Sequence, residues 1–543
     1  MVCQGMVTQA FGSLNLPGAT TIQYTVALHF NSPKLLSKGL DALNALFQTR
    51  TAMVAVHGVL AVLWAGWSTA FAAEPPGPQR QVGKDRAAVA PETKREKRRF
   101  SDLLQEKPAN GAELKPADVI RPQFAPWADI AQERLARAGV RRIRGQHLTL
   151  YTDVGADPEI DELVQVFDSA VPQWCDYFGI RPETANGWQV DGILMKAKAP
   201  FRDLGLLPEQ LPDFLHGYAS PQQIWLLEQP SAYYRRHLVL HEGTHAFMAA
   251  ILGGNGPPWY SEGIAELFGT HAWSDGKLAM RIMPRRREDL PDWGRIKLIK
   301  TDVANGRGLT LREIMQYGPR AHLKVEPYGW SWAASYFLEN HPATQQQYRA
   351  LRNFAPDTSP LFSTQFLQRI ETEEHRVNED WRVFIMHLDY GFDLERELVT
   401  HAPVKGLPAE GISIVVSAEK GWQSSGIRLD ANRSYQIESE GQFLLRSEPS
   451  SWPCEGGGIS LHYHRGFPLG ALIGAICGGE ENELDLSPLV KPGLLGVQRT
   501  IRVSQNGVLF LKINDWPWSW RDNEGELRVR IRPAPDAGRP ADR

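Results

Sequence analysis

The chain has 543 residues, of which 42% are hydrophobic and 22% are charged, and its formal net charge is −3. This balance is typical of globular domains and excludes collagen-like, coiled-coil and largely disordered chains. At about 150 residues per domain, the length predicts two to four domains. The near-neutral charge gives no reason to expect a nucleic acid partner. Four cysteines are too few for a disulfide-rich scaffold or a cysteine-rich zinc module.

An uncharged apolar segment covers residues 52–73 and ends in Ala70-Phe71-Ala72. Small residues at these two alanine positions are what a signal peptidase recognises, so we expect residues 1–73 to be an extension with a cleaved export signal. The alternative is an uncleaved membrane anchor, because the segment is long enough to span a bilayer. Residues 74–125 are rich in Pro, Lys, Arg and Glu, which predicts a disordered linker. Residues 536–543 are predicted to form a disordered tail.

Two folded domains are predicted after the linker. Residues 126–402 mix helix-like and strand-like patterns, which indicates an α+β domain. Its predicted elements include strands at 147–154 and 223–227 and helices at 161–178, 237–252 and 261–268, the last with Ser261 as its N-cap. Residues 403–535 contain short alternating runs separated by Gly, Asn and Pro, which predicts an all-β sandwich.

The strongest functional signal is the sequence His241-Glu242-Gly243-Thr244-His245 on the predicted helix 237–252. Residues four apart lie on one helix face, so both imidazoles can bind one metal ion. Glu242 can then accept a proton from the attacking water. Glu262 can supply a third ligand and leave one position open, as in catalytic zinc sites. Glu266, one turn later, is predicted to accept a hydrogen bond from a ligand histidine.

The segments HEGTHAFM (241–248) and WYSEGIAELF (259–268) resemble the motifs of the gluzincin clan of zinc peptidases, which includes thermolysin-like enzymes and the aminopeptidase N family. The resemblance covers about residues 150–400 and is to poorly characterised bacterial members, with a shorter spacing between His245 and Glu262 than in those two families. It implies a gluzincin-like fold that binds zinc through His241, His245 and Glu262 and hydrolyses peptide bonds with Glu242 as general base.

The resemblance also suggests groups that contact the substrate. Tyr328 is expected to donate a hydrogen bond to the oxyanion. An equally good explanation is that Tyr328 is only an aromatic residue packed in the core. His322 is the second candidate donor. The strand around Trp225 is expected to be the sheet edge that pairs with an extended substrate. Ordinary core packing is an equally good explanation of that strand. His237, one turn before His241, is expected to have a structural or supporting role.

The segment INDWPWSWRDNEG (513–525) brings several oxygen-bearing side chains together between two predicted strands. Such side chains suit calcium, although a polar turn is usually only a turn. This segment and GWQ (421–423) resemble the calcium-dependent galactophilic lectin family. The resemblance implies calcium ligands at Asp515, Asp522, Asn523 and the backbone carbonyl of Ser519. The sugar-contacting histidine of that family has no clear counterpart here.

Two further features of the predicted β domain leave alternatives open. Trp518 and its neighbours Trp516 and Trp520 are expected to stack on a sugar ring or to form a packed lid. Cys454 and Cys477 are expected to pair if the protein is exported, because an oxidising compartment allows disulfides. Cys175 is expected to be buried on its apolar helix.

The sequence therefore predicts an exported zinc metallopeptidase with peptide or protein substrates, attached to glycans by a lectin-like calcium-binding domain. One alternative is a non-catalytic carbohydrate-binding surface protein on a gluzincin scaffold. Another is a zinc amidase that acts on cell-wall peptide. A membrane contact is expected only if the N-terminal segment stays uncleaved.

Overall fold

The computed structural model describes residues 6–14, 22–30, 124, 125, 127, 129–321, 324–448, 450–478, 487–519 and 522–534. The predicted export signal, almost all of the predicted linker, and the predicted tail lie outside these residues, as do His322 and Trp520. Among the described helices, none combines the length and the apolar character that a bilayer crossing requires. The chain divides into two compact units, residues 1–110 and 111–543. In the first unit, strands β1 (Met6–Leu14) and β2 (Ile22–Phe30) pair antiparallel.

The second unit begins with an α+β part. Its strands are β3 (Arg141–Arg144), β4 (Leu148–Thr152), β5 (Val190–Met195), β6 (Gly217–Ala219), β7 (Gln223–Leu227), β8 (His271–Ser274) and β9 (Lys277–Met280). Its helices are α1 (Gln132–Arg137), α2 (Pro158–Asp161), α3 (Leu163–Phe178), α4 (Lys198–Asp203), α5 (Ala232–Phe247), α6 (Pro258–Gly269), α7 (Arg295–Ala304), α8 (Leu311–Ile314), α9 (Glu326–Asn340), α10 (Gln345–Ala350), α11 (Pro360–Arg369), α12 (Glu374–His387) and α13 (Leu394–Glu397).

A five-stranded sheet with the order β3-β4-β5-β7-β6 supports the α+β part. Strands β4, β5 and β7 are parallel, and the two outer strands are antiparallel to their neighbours. Strand β7 reads QIWLL and packs on both faces, because Ile224 and Leu226 belong to one apolar core and Trp225 to another. An apolar run of this kind is typical of an interior strand. The prediction that the strand around Trp225 is the sheet edge is therefore wrong, and the edge strand on that side of the sheet is β6.

Helix α5 packs against α6, and α6 packs against α9. Ser231 caps α5 by accepting a hydrogen bond from the Tyr234 N–H. Helix α6 begins at Pro258, whose missing N–H costs nothing in the first turn, so the predicted capping role of Ser261 is wrong. Gly263 allows α6 and α9 to approach closely, because a Cβ there would overlap the Oγ of Ser335.

The chain changes from helices to strands between Glu397 and Lys405. The strands of this β part are β10 (Lys405–Gly406), β11 (Ile412–Ser417), β12 (Gln423–Leu429), β13 (Ser434–Glu440), β14 (Phe443–Leu444), β15 (Pro453–Cys454), β16 (Gly457–His464), β17 (Phe467–Cys477), β18 (Gly493–Leu494), β19 (Gln498–Arg502), β20 (Gly507–Ile513) and β21 (Glu526–Pro533). One sheet has the order β10-β12-β20-β17-β16, with β18 paired to β17, and another has the order β11-β21-β13-β19. Side chains of both sheets share one apolar core, as in a sandwich. The chain therefore combines helices and sheets, as predicted.

The α+β part and the β part are joined by buried contacts. Lys512 on β20 donates hydrogen bonds of 2.7 and 2.9 Å to the carboxylate of Glu397 at the end of α13. Both side chains are almost completely buried. Around them, Val383 and Val399 of the α+β part share an apolar cluster with residues of the β part that include Phe510. The β part is thus fixed directly to the helical part.

The three described cysteines are buried and form no disulfide. Cys454 on β15 packs in the core between the two sheets, whereas Cys477 on β17 packs in the cluster at the junction with the helices. The expected Cys454–Cys477 disulfide is therefore absent from this structure. Cys175 is buried on α3 as predicted.

Candidate metal centre

Three predicted metal ligands converge between α5 and α6. His241 and His245 lie one turn apart on α5, and Glu262 lies in the first turns of α6. The Oε2 atom of Glu262 is 3.2 Å from Nε2 of His241 and 3.4 Å from Nε2 of His245. One ligand atom from each residue lies within 4.8 Å of the other two. All three side chains are buried.

The donor set fits a zinc ion. Two imidazole nitrogens and one carboxylate oxygen are the protein ligands of many catalytic zinc sites. Glu262 Oε2 is buried without a well-aligned hydrogen bond among the described residues, so a cation there would satisfy it. Burial alone would lower the pKa of His241, but the carboxylates of Glu262 and Glu266 raise this pKa to about 10. The site therefore favours a positive charge at the position where the three ligands meet.

Two residues of α6 hold the ligand histidines from behind. Ser261 Oγ lies 3.2 Å from Nδ1 of His245. Glu266 Oε1 lies 3.4 Å from Nδ1 of His241. A hydrogen bond such as that of Ser261 fixes the ring orientation and the tautomer of a metal-binding histidine, whereas Glu266 approaches His241 without a well-aligned hydrogen bond. Glu266 therefore lies beside a ligand histidine, as predicted, whereas the contact of Ser261 with His245 was not predicted.

Arg295, the first residue of α7, binds both carboxylate oxygens of Glu266 at 2.8 and 3.0 Å. This buried ion pair outweighs the effect of burial and keeps the pKa of Glu266 well below its usual range. Nε2 of His237 also lies 3.4 Å from Glu266, while Nδ1 of His237 lies 2.9 Å from the carbonyl oxygen of Gly269. His237, His241 and Glu266 form a second group of close ligand atoms. The guanidinium of Arg295 already neutralises Glu266, which disfavours a second cation there.

Glu242 lies at the edge of the sheet. Its carboxylate packs against Gly217 on β6, because a Cβ on Gly217 would be only 2.5 Å from Oε1 of Glu242. The Glu242 side chain is buried, like the three ligands. The carboxylate next to the metal ligands is therefore also next to the edge strand of the sheet. The sequence did not reveal this role of β6, since three residues are too few to show a strand pattern.

Tyr328 lies near the start of α9, and its ring centroid is 5.7 Å from that of His241. Burial and the carboxylates of Glu262 and Glu242 raise the pKa of Tyr328, so the hydroxyl stays protonated and able to donate. The structure therefore brings Tyr328 to the centre. It does not bring Trp225 there, because Trp225 is completely buried and donates a hydrogen bond to the Leu206 carbonyl.

The predicted calcium residues surround the loop after β20. Asp515 and Asn523 are almost completely buried, and Asp515 Oδ2 and Asn523 Oδ1 make no well-aligned hydrogen bond among the described residues. Burial raises the pKa of Asp515 to about 7. Leu444 on β14 pairs with Glu524 through two backbone hydrogen bonds. The segment that follows β13 therefore runs beside Asn523. Asp522 is partly exposed, and the Ser519 N–H bonds to the Trp516 carbonyl.

Aromatic side chains continue from this loop along the surface. Trp518, 48% exposed, stacks on Trp516 with ring centroids 5.8 Å apart. Trp516 contacts His462 edge to face, and His462 stacks on Trp452. His462 therefore lies between the rings of Trp452 and Trp516. Trp518 also packs against Gly391 of the α+β part.

Comparison with known proteins identifies no family for this chain. No family model matches it, and no curated protein matches it. Among solved structures, the chain is similar to a domain described as "EclA N-terminal domain; PllA-like lectin", at 19% identity and a TM-score of 0.18. That match covers 23% of this chain and 98% of the lectin domain. A TM-score this low carries no argument, so the functional conclusions depend on the site itself.

Proposed function

We propose that this chain is a zinc-dependent hydrolase of peptide bonds, with His241, His245 and Glu262 as the metal ligands. The observation that carries the proposal is the convergence of these ligand atoms within 4.8 Å in a buried site between two helices. A fourth position is left for water or substrate in such a three-ligand arrangement. We also propose that residues 126–402 have a gluzincin-like fold and that the protein is exported.

The chain's own residues have distinct roles in this proposal. When bound, zinc supplies a positive charge that polarises the scissile carbonyl and lowers the pKa of water. Glu242 accepts the proton of the attacking water and passes it to the leaving amine. Tyr328 donates a hydrogen bond to the developing oxyanion. An extended substrate adds to the edge of β6, which places its backbone beside Glu242.

The intact Glu242 supports an enzyme over the non-catalytic carbohydrate-binding alternative, because a scaffold does not need a base at this position. Hydrolysis of cell-wall peptide uses the same chemistry, so the substrate panel must contain both kinds of amide.

We expect about one zinc ion per chain after expression in zinc-replete medium, measured by mass spectrometry of the purified protein. The same preparation should cleave members of a broad panel of peptides and peptidoglycan fragments, and chelation followed by zinc addition should remove and restore the cleavage. Protein that stays metal-free under these conditions would contradict the proposal. Cleavage of only the peptidoglycan fragments would assign the cell-wall alternative.

We further propose that the β part binds calcium and, through it, a glycan that tethers the enzyme. The supporting observation is a pair of buried oxygens, Asp515 Oδ2 and Asn523 Oδ1, that make no well-aligned hydrogen bond to the residues that the structure describes. Carboxylate, amide and carbonyl oxygens are the ligands that calcium prefers. Asp522 and the Ser519 carbonyl complete the proposed set, and Trp518 and His462 offer surfaces for a sugar ring.

Calcium is expected to raise the melting temperature of the wild-type protein by several degrees, because an ion that binds only the folded state stabilises it. The variant Asp515→Ala should lose this calcium response. Thermal unfolding with calcium and with excess chelator measures the effect, and Asp430→Ala, at an exposed site elsewhere in the β part, is the matched control. A wild-type protein that does not respond to calcium would refute this site.

A further inference from the structure

The β part contains a groove that neither proposed site uses. The groove has a volume of about 630 Å³, within the usual range of ligand-binding pockets. One side is formed by β17, β18 and β20 and carries apolar residues, among them Ile476, Leu494 and Leu509. The other side is formed by β19, the last strand of its sheet.

The free edge of β19 can be identified from its hydrogen bonds. The Val503 N–H bonds to the Arg433 carbonyl, and the Ser439 N–H bonds to the Val497 carbonyl. In an antiparallel pair, such bonds recur at every second residue. Residues 499 and 501 therefore direct their backbone groups to β13, whereas Thr500 and Arg502 direct theirs to the open edge. Both of these residues line the groove.

The groove is also cationic. Lys491, Arg499 and Arg502 line it, and the lining residues that the structure describes include no aspartate or glutamate. Within the described part of the chain, none of the three forms an ion pair. Arg499 is opposite Ile437, a core residue, so its side chain starts from the inner face of the sheet. An inward-pointing charge on an edge strand can simply prevent pairing between copies, and a test must separate that role from binding.

We propose that this groove binds an extended acidic peptide, which adds to β19 as a further strand. Its backbone would bond to the open groups of Thr500 and Arg502, as in other cases of strand addition. Side chains of a strand alternate between two faces, so every second side chain of the peptide points into the groove, and acidic side chains at these positions can meet Arg499 and Lys491. The open edge and the apolar floor favour a peptide over an anionic glycan, which could use only the charges.

The test uses the full chain and a fluorescent eight-residue peptide of alternating Glu and Leu, with binding followed by fluorescence anisotropy. The wild-type protein should bind it, and a peptide of alternating Lys and Leu should bind at least tenfold more weakly. The double variant Lys491→Gln/Arg499→Gln should weaken binding at least tenfold. Arg528→Gln, at an exposed arginine of β21 outside the groove, should leave it unchanged. Circular dichroism checks that the variants fold.

Three results would overturn the inference. The first is no binding of the acidic peptide by the folded wild-type protein. The second is complete competition by polyacrylate at equal charge, because this polymer has no peptide backbone to pair with β19. The third is an Arg499→Gln variant that self-associates yet binds the peptide as the wild type does, which would limit Arg499 to protecting the edge. None of these results depends on zinc or calcium.

Discussion

Replacing Glu242 with glutamine is expected to leave zinc binding intact and to lower kcat by a factor of roughly 10² to 10⁴. Glutamine has the shape of glutamate, so it keeps the packing against Gly217 on β6. Residue 242 is not one of the three converging ligands, so the metal should remain. Glutamine cannot accept the proton of the attacking water, and the rate therefore falls. The measurements are zinc content and kcat on a peptide selected from the cleavage panel.

The matched comparison is Glu262→Gln, which removes a ligand carboxylate rather than the proposed base. That variant should lose zinc affinity and activity together, whereas Glu242→Gln should lose activity alone. Full turnover by a zinc-loaded Glu242→Gln protein would rule out Glu242 as the base. Loss of zinc in Glu242→Gln would instead show that the carboxylate helps to hold the metal.

The second large effect is expected at the junction of the α+β and β parts. The variant Lys512→Met should destabilise the protein by about 3–5 kcal/mol, because removing one partner leaves the Glu397 carboxylate buried and poorly compensated. The two side chains are 5% and 1% exposed, so solvent cannot replace the lost ammonium group. Unfolding in urea, followed by tryptophan fluorescence and circular dichroism together, measures the loss.

The control is the double variant Glu397→Gln/Lys512→Met, which removes both charges. It should recover most of the lost stability, because a neutral buried pair carries no uncompensated charge. Burial alone would raise the pKa of Glu397, but Lys512 and, after it, His387 lower this pKa to about 2. A carboxylate with a lowered pKa stabilises the fold above its unfolded value of about 4.5, and this contribution is lost as the pH falls towards 2. The double variant should lack this acid sensitivity, and a single variant as stable as the wild type would contradict the proposed importance of the pair.

The metal ligands could be predicted because their geometry is local. His241 and His245 share a face of one helix, and Glu262 follows on the next helix, so the sequence order contains most of the arrangement. The contacts behind the ligands could not be predicted in the same way. Arg295 reaches Glu266 from a separate helix, and no spacing rule connects the two. The hydroxyl of Ser261 suggests a helix cap, but its partner is His245 on α5.

The edge of the sheet shows a different limit. The run from Gln223 to Leu227 is apolar at successive positions, which indicates burial on both faces and therefore an interior strand. Its resemblance to a substrate-pairing edge led to the wrong strand, and β6 is too short to be recognised in advance. The disulfide was also predicted from compartment chemistry alone. Cys454 and Cys477 lie on strands that pack in different cores, which the spacing of two cysteines does not reveal.

The buried ion pair between Glu397 and Lys512 limits the distance between the proposed zinc site and the proposed glycan site. A binding module on a flexible linker can place an enzyme at many distances from its anchoring point, because such a linker samples many lengths. Here the sheet that carries the Asp515 loop is fixed to the helices by a buried ion pair and a shared apolar cluster. The two proposed binding surfaces are therefore held at one fixed separation. A polymer held at both must carry its glycan and its scissile bond at that one separation.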